Sequence, residues 1–98
     1  MVTVALFVKL QAKPGKEKDI ISFLENGLIL ANQETTTPNW FALQLELSIL
    51  GIFDAFTDDE RKNAHLTGLI AAALMANIYE LLTEPPKIER VDVLAIKI

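Results

Sequence analysis

The segment WFALQLELSILGIFDAF, residues 40 to 56, carries the strongest fold signal in the sequence. Its apolar side chains recur at every second position, the spacing that places them on one face of a β-strand. The pattern predicts two strands, about Trp40 to Ser48 and Ile52 to Phe56, joined by a hairpin around Gly51. Two antiparallel neighbours are therefore expected in the middle of the chain.

A strand and a helix are predicted before this hairpin. Residues 2 to 12 form a strand that is apolar on both faces, and KPG at 13 to 15 ends it. Residues 17 to 32 then repeat apolar side chains at helical spacing.

A second helix and a last strand are predicted after the hairpin. Thr57 or Asp58 caps the helix, and Gly68 is expected to kink it. EPPK at 84 to 87 ends this helix, and residues 89 to 98 form the strand.

The predicted order is strand, helix, strand, strand, helix, strand. In 98 residues this is the α+β, ferredoxin-like βαββαβ arrangement, a single domain spanning 1–98 with a four-stranded antiparallel sheet and two helices on one face. The other sheet face would be bare, although the strands are apolar on both sides and 51% of the residues are hydrophobic. We therefore expect a homodimer that packs the two sheets face to face.

Charge and cysteine content exclude several kinds of partner. The formal net charge is -4 and the pI is about 4.8, so no basic surface is expected for nucleic acid or for an anionic membrane. The absence of cysteine excludes disulfides and thiolate chemistry and fits a cytoplasmic protein. Residues 1 to 10 are predicted to form a strand and not a signal peptide, and the longest apolar run, residues 68 to 82, is too short to span a bilayer.

Common catalytic and cofactor motifs are missing from the sequence. Its four glycines form no nucleotide-binding motif, and its serines have no glycine-framed elbow. One histidine without cysteine argues against a metal site. What remains is a small apolar pocket with few polar groups.

His65 is the only histidine. Near a predicted helix start, the helix dipole lowers its pKa and favours the neutral imidazole, which is able to accept a proton. On a regular helix, however, it lies opposite the apolar stripe through Leu66 and Ile70, which favours a surface or interface position unless Gly68 kinks the helix. A general base and a surface residue are both open interpretations.

Asp54 interrupts an apolar strand on the same face as Ile52 and Phe56. If that face is buried, the carboxylate needs a donor, for which Arg61 or a backbone amide is the candidate. A structural hydrogen bond and a role in a site both fit. The other acids of this region are interpreted as a helix start: Asp58, Asp59 and Glu60.

Further positions fit either packing or ligand contact. Trp40 begins the second strand, where an aromatic side chain packs in a core or dimer interface or forms a pocket wall. Met75 and Tyr79 lie one helical turn apart, a spacing more typical of packing. Asn77 falls on the inward stripe of the long helix, where a buried carboxamide bonds to a neighbouring backbone or orients a ligand.

Several segments of the chain resemble a known family. They are KPGK after the first strand, GIFDAFTDDERKNAHLTG at 51 to 68, which leads into an alanine-rich helix, and VDVLAIK near the end. On these segments the sequence is similar to the antibiotic biosynthesis monooxygenase family of the dimeric α/β barrel superfamily, close to its quinol monooxygenase branch.

The resemblance implies a homodimer whose two sheets form a barrel, with a pocket between sheet and helices in each subunit. It also implies oxygenation of a small phenolic, quinol or anthrone-type aromatic without flavin, haem or metal, so no cofactor is expected. Such a reaction would use His65 as proton acceptor, Trp40 and Phe53 as pocket walls, and Asn77 as orienting donor. Asp54 is a further candidate for the substrate site.

Other activities are open to the same scaffold. Haem degradation is disfavoured, because haem-degrading members of the superfamily resemble one another in having an asparagine in the first strand, and residues 2 to 12 contain none. A non-catalytic small-molecule-binding protein and a structural dimer module stay open, because a fold alone does not confer an activity.

Overall fold

Four strands pair into one antiparallel sheet in the computed structural model of the chain. The structure describes residues 1–35, 37–66, 72–73 and 76–97. Its elements are β1 (Val4–Gln11), α1 (Glu17–Gln33), β2 (Asn39–Glu46), β3 (Ile49–Phe56), α2 (Asp59–Leu66), a 3-10 turn (Tyr79–Leu81) and β4 (Lys87–Asp92). The strands lie side by side in the order β2-β3-β1-β4. The predicted ferredoxin-like order of elements is confirmed.

A tight turn separates β1 from α1. Pro14 and Gly15 occupy its central positions, and the Lys16 N–H donates a hydrogen bond of 3.0 Å to the Lys13 carbonyl oxygen. Gly15 has a φ of 82°, a conformation that other residues rarely adopt. Lys16 makes no side-chain capping bond, so burial of one side of α1 must supply its stability.

The hairpin turns at Leu47 and Ser48, and the prediction of a turn around Gly51 is wrong. The period-two alternation continues through β3, which makes Gly51 a strand residue. A Cβ atom at Gly51 would lie 3.2 Å from Leu45 Cδ1 and from Phe7 Cε1. Glycine therefore suits this position because of close packing on the sheet and not because of a turn.

Both helices pack on the same face of the sheet. Ile20 and Leu24 of α1 enter the main core together with Ile52 of β3. α2 lies over the end of the sheet where Phe56 is buried, and the ring of Phe56 lies 5.3 Å from the ring of His65. Each fully buried apolar side chain stabilises the fold by about 1.5–3 kcal/mol.

The opposite face of the sheet carries exposed apolar side chains. Phe41 is 50% exposed, and its ring lies 6.3 Å from that of its cross-strand neighbour Phe53. Further apolar side chains on or beside this face are also exposed: Leu43, Leu45 and Val91. We call this surface the open face. No helix covers it within the part of the chain that the structure describes.

The helix after the hairpin begins as predicted. Asp58 Oδ1 accepts a hydrogen bond of 2.9 Å from the Arg61 N–H, which makes Asp58 the N-cap. Helical backbone recurs at 72–73 and 76–77, and the kink predicted at Gly68 lies outside the described residues. Among the described residues, no helix has the length and hydrophobicity needed to cross a membrane.

β4 is shorter than predicted and is shifted toward the N-terminus. It spans Lys87–Asp92, whereas a strand over 89 to 98 was expected. Its neighbour β1 begins at Val4, which pairs with Asp92, so the ladder ends there for lack of a partner. The Val93 N–H still donates to the Thr3 carbonyl oxygen at 3.0 Å, and residues 94 to 97 form no strand.

Candidate functional site

Asp54 is a buried carboxylate on the helix-covered face of β3. It is 1% exposed and is paired across the sheet with Leu6 of β1 and Trp40 of β2. A carboxylate buried among apolar side chains requires a cationic or hydrogen-bonding partner. That partner is His65 of α2, whose Nε2 lies 2.8 Å from Asp54 Oδ2.

The other ring nitrogen of His65 faces a second acid. His65 Nδ1 lies 2.6 Å from Oε2 of Glu34, the residue that follows α1. The Thr37 hydroxyl donates a hydrogen bond of 3.0 Å to the same oxygen and lies 3.3 Å from His65 Nδ1. We call Glu34, Thr37, Asp54 and His65 the buried cluster. It ties the end of α1 and the loop after it to β3 and α2.

His65 is 6% exposed, so the surface or interface position that helical spacing favoured is wrong. That prediction assumed that the apolar stripe alone orients the helix. In the structure, carboxylates of β3 and of the end of α1 contact both ring nitrogens and hold the ring inside.

The expected partners of Asp54 are also corrected. Arg61 Nη1 contacts Asp58 Oδ2 at 2.7 Å, and both of these side chains are about half exposed. Within the part of the chain that is described, neither oxygen of Asp54 has a hydrogen bond of good geometry, because the His65 contact is at ion-pair distance but off the hydrogen-bond direction. Asp54 Oδ1 is therefore a buried acceptor that these residues leave unused.

The pKa of His65 is raised above its ordinary value. Burial lowers it, but the close contacts and the negative charges of Asp54 and Glu34 raise it by more. The expectation of a lowered pKa and a neutral imidazole is therefore wrong in direction. A raised pKa favours the imidazolium, with both ring nitrogens engaged by carboxylates.

The buried cluster is not arranged to bind a metal ion. Its two carboxylates contact opposite nitrogens of one ring, so the potential ligand atoms do not converge on one point. Across residues 1–35, 37–66, 72–73 and 76–97, no group of three potential metal ligands is found.

A cavity of about 280 Å³ lies between α1 and the sheet. Trp40 and Ile52 form its sheet side, and Ala73 and Asn77 close it from the segment after α2. The remaining lining residues belong to α1: Phe23, Leu24, Asn26, Gly27 and Leu30. The volume is near the lower end of the range of ligand pockets and suits a small, mostly apolar molecule.

Trp40 connects this cavity to the buried cluster, because its cross-strand neighbour is Asp54. A Cβ atom on Gly27 would lie 3.4 Å from Trp40 Cη2, so the absence of a side chain on α1 gives the indole room. Trp40 Nε1 is buried and has no hydrogen-bond partner among the described residues. Buried donors are nearly always paired, so this one is an exception that needs a reason.

Asn77 lines the cavity but is exposed, so its predicted burial on an inward stripe is wrong. The next residue, Ile78, takes the buried position with 1% exposure. Asn77 Nδ2 donates a hydrogen bond of 2.8 Å to the Ala73 carbonyl oxygen, which confirms the backbone bond expected as one alternative.

Phe53 lies on the open face and does not line the cavity. It packs against Val2, Ala5 and Ala55, because period-two alternation turns it away from Ile52 and Asp54. The structure thus brings Trp40 and Asn77 to the cavity and Asp54 and His65 to the buried cluster. Met75 lies outside the described residues, and Tyr79 is exposed.

Sequence reasoning did not identify Glu34 and Thr37 as members of the cluster. Both belong to a polar segment between α1 and β2, and no motif or periodicity marks them. The one available signal was the need of a buried Asp54 for partners, which does not reveal their positions in the sequence.

The fold defines a class of protein, the ferredoxin-like α+β domains with a four-stranded antiparallel sheet. A "putative antibiotic biosynthesis monooxygenase" from Nitrosomonas europaea is similar with a TM-score of 0.84 and 14% identity, over 94% of this chain and 99% of that chain. A protein of unknown function from Bacteroides thetaiotaomicron, named a "possible oxidoreductase", has a TM-score of 0.79 and 15% identity over 94% and 98% of the two chains. At these identities the likeness shows the fold alone.

A more similar solved structure is NE2512, a protein of unknown function from Nitrosomonas europaea. It has a TM-score of 0.96 and 53% identity, over 100% of this chain and 95% of that chain. The chain therefore belongs to the same protein family as NE2512. Searches of protein-family models and of curated proteins found no match.

Proposed function

We propose that the protein is a cofactor-independent monooxygenase that acts on a small phenolic, quinol or anthrone-type aromatic. The observation that carries the proposal is the cavity of about 280 Å³ whose wall, Trp40, is the cross-strand neighbour of the buried carboxylate of Asp54. A mostly apolar chamber beside a buried acid and imidazole is suited to an aromatic molecule that must lose a proton away from water.

The reaction needs no external reductant, because the substrate supplies all the electrons. An anthrone-type methylene carbon gives four electrons to dioxygen; one oxygen atom becomes the carbonyl oxygen, and the other leaves as water with the two methylene hydrogens. A quinol similarly gives a hydroxyquinone and water. The first step is loss of a substrate proton, because the anion and not the neutral molecule reduces dioxygen readily.

In the proposed mechanism the buried pair of Asp54 and His65 accepts this proton from the substrate. Both His65 nitrogens contact carboxylates and the raised pKa favours the imidazolium, so the proton passes to the carboxylate of Asp54, which is paired with the cavity wall, while the charged ring of His65 holds that carboxylate in place. Glu34 holds the far side of the ring in place. The cluster returns the proton when water is lost from the oxygenated intermediate.

A homodimer formed through the open faces is part of the proposal. Phe41 and Leu43 are 50% and 37% exposed, and covering such apolar surface contributes about 25 cal/mol per Å². A second copy presents the same surface, so the contact is self-complementary across a two-fold axis.

Ligand binding without chemistry is the second candidate function. One observation favours it: both nitrogens of His65 face carboxylates, which leaves the ring no free acceptor. In that case the buried cluster is structural, and the cavity holds a molecule that the protein does not change.

Oxygen uptake by the purified protein, measured with a panel of hydroquinones and anthrones, tests the first candidate against the second. Uptake is expected with at least one compound, and His65→Ala should reduce it on the order of 100-fold, the usual contribution of a positioned acid–base group. Arg61→Ala, an exposed change on the same helix, is the matched control and should keep full uptake. No uptake by the wild type would favour the binding protein, whereas unchanged uptake in the His65 variant would remove His65 from the mechanism.

A further inference from the structure

Two side chains on the helix-covered face of the sheet carry buried polar atoms that lack partners among the described residues, and of the two only Trp40 lines the cavity. Trp40 Nε1 is a donor, and Asp54 Oδ1 is an acceptor. Trp40 and Asp54 are directly paired residues of β2 and β3, so their side chains project from the same face of the sheet. They are neighbours, yet no hydrogen bond joins them.

A buried donor and a buried acceptor that are both unpaired favour a third group that serves both. Such a group must accept from the indole N–H and donate to the carboxylate. A hydroxyl does both, whereas a ketone or an ether oxygen only accepts and would face the carboxylate without a proton to share.

Two carboxamide side chains, Asn26 and Asn77, also line this cavity; both residues are exposed, and Asn77 is already engaged. Asn77 Nδ2 donates to the Ala73 carbonyl oxygen of its own helical segment, at 2.8 Å. Asn77 is also exposed, so its contacts compete with water. Trp40 is therefore the better placed donor for a ligand.

We infer that Trp40 and Asp54 form a hydroxyl subsite, in which a phenolic O–H accepts a hydrogen bond from Trp40 Nε1 and donates one to Asp54 Oδ1. The inference rests on the proposed function in taking the cavity as the ligand site, but it concerns binding and not oxygenation. It narrows the ligand to aromatics that carry a free hydroxyl, such as phenols and quinols. Their methyl ethers, quinones and the keto form of anthrones are bound less tightly.

Calorimetric titration with 1-naphthol and with 1-methoxynaphthalene tests this without any turnover. The wild type should bind the naphthol more tightly, on the order of 10-fold, the worth of one buried hydrogen-bond arrangement. Trp40→Phe keeps an aromatic wall and removes the donor, so the preference should disappear. Phe23→Leu, a purely apolar change in the same lining, is the matched control; it should weaken both ligands alike and keep the preference.

A second measurement does not depend on any variant. Trp40 is the only tryptophan, so a proton–nitrogen correlation spectrum contains one indole N–H signal. The naphthol should move this signal downfield, as a new hydrogen bond does, and the methyl ether should move it less.

Equal affinities, an unmoved indole signal, a preference that survives in Trp40→Phe, or no binding of either compound would overturn the subsite. Oxygen uptake separates this result from the proposed function. Uptake without a hydroxyl preference leaves the oxygenase and removes the subsite, whereas a hydroxyl preference without uptake leaves the subsite and removes the oxygenase.

Discussion

His65 Nε2 lies 2.8 Å from Asp54 Oδ2 and ties α2 to the internal strand β3. The two side chains are 7% and 1% exposed, so the contact is shielded from water. In such surroundings the loss of one charge leaves the other uncompensated. The protonation of one imidazole is therefore coupled to the packing of α2 on the sheet.

Stability is expected to fall as the pH rises above about 6.5, the ordinary pKa of an unfolded histidine. The pKa of His65 is higher in the folded chain, so the folded state binds the proton more tightly. This stabilisation is fully present below the unfolded pKa and is lost as the pH rises through the raised folded pKa. Urea denaturation from about pH 6 to about pH 9 measures it. The wild type should lose more stability over this range than His65→Gln, and parallel profiles would contradict the prediction.

Replacement of Asp54 by alanine is expected to lower the free energy of unfolding by about 3 kcal/mol, because it leaves a buried imidazolium with one partner removed. The control is Asp92→Ala, which breaks an Arg90 Nη1–Asp92 Oδ1 contact of 2.6 Å between exposed side chains and should change stability little. Denaturant melts of both variants at neutral pH give the comparison. A similar loss of unfolding free energy in the two variants would show that the buried pair stabilises the fold no more than the exposed pair does.

Phe41→Lys is expected to prevent dimer formation, because it places a charge in the centre of the open face. Ile29→Lys is the matched control: the residue is 63% exposed on α1, on the other side of the sheet, and should leave the assembly unchanged. Sedimentation at micromolar concentration measures whether each variant is a monomer or a dimer. A wild-type protein that sediments as a monomer under these conditions would rule out the proposed dimer.

Two glycine substitutions should differ in cost for different reasons. Gly51→Ala places a methyl group 3.2 Å from the Val8 backbone oxygen, which cannot move aside, so a loss of about 1–3 kcal/mol is expected. Gly15→Ala meets no atom within 4 Å, and its cost of about 1 kcal/mol comes from the positive φ alone. Thermal melts of both variants show which one loses more stability. A larger loss for Gly15→Ala would contradict the packing explanation.

Element order followed from local sequence patterns. The period-two alternation over residues 40 to 56 and the helical spacing over 17 to 32 depend on neighbours in the chain, so they predicted the β-α-β-β-α-β order without knowledge of any distant contact. The same alternation correctly assigned Asp54 to the face of Ile52. It also places Phe53 on the opposite face, which contradicts the pocket-wall position that the family resemblance implied.

Element ends and the polar site depended on contacts between distant segments. The ladder of β4 ends at Asp92 because β1 begins at Val4. The hairpin turns at Leu47 and not around Gly51, because strand pairing includes Gly51. The local sequence pattern of one strand does not show where its partner strand begins or ends.

The orientation of His65 also depended on contacts between distant segments. Counting around a helix predicts which residues share a stripe, but it does not include two acids that lie 11 and 31 positions earlier in the sequence. Desolvation of Asp54 on β3 and of Glu34 after α1 makes an imidazole more favourable inside than outside, and that balance exists only once the three segments pack together.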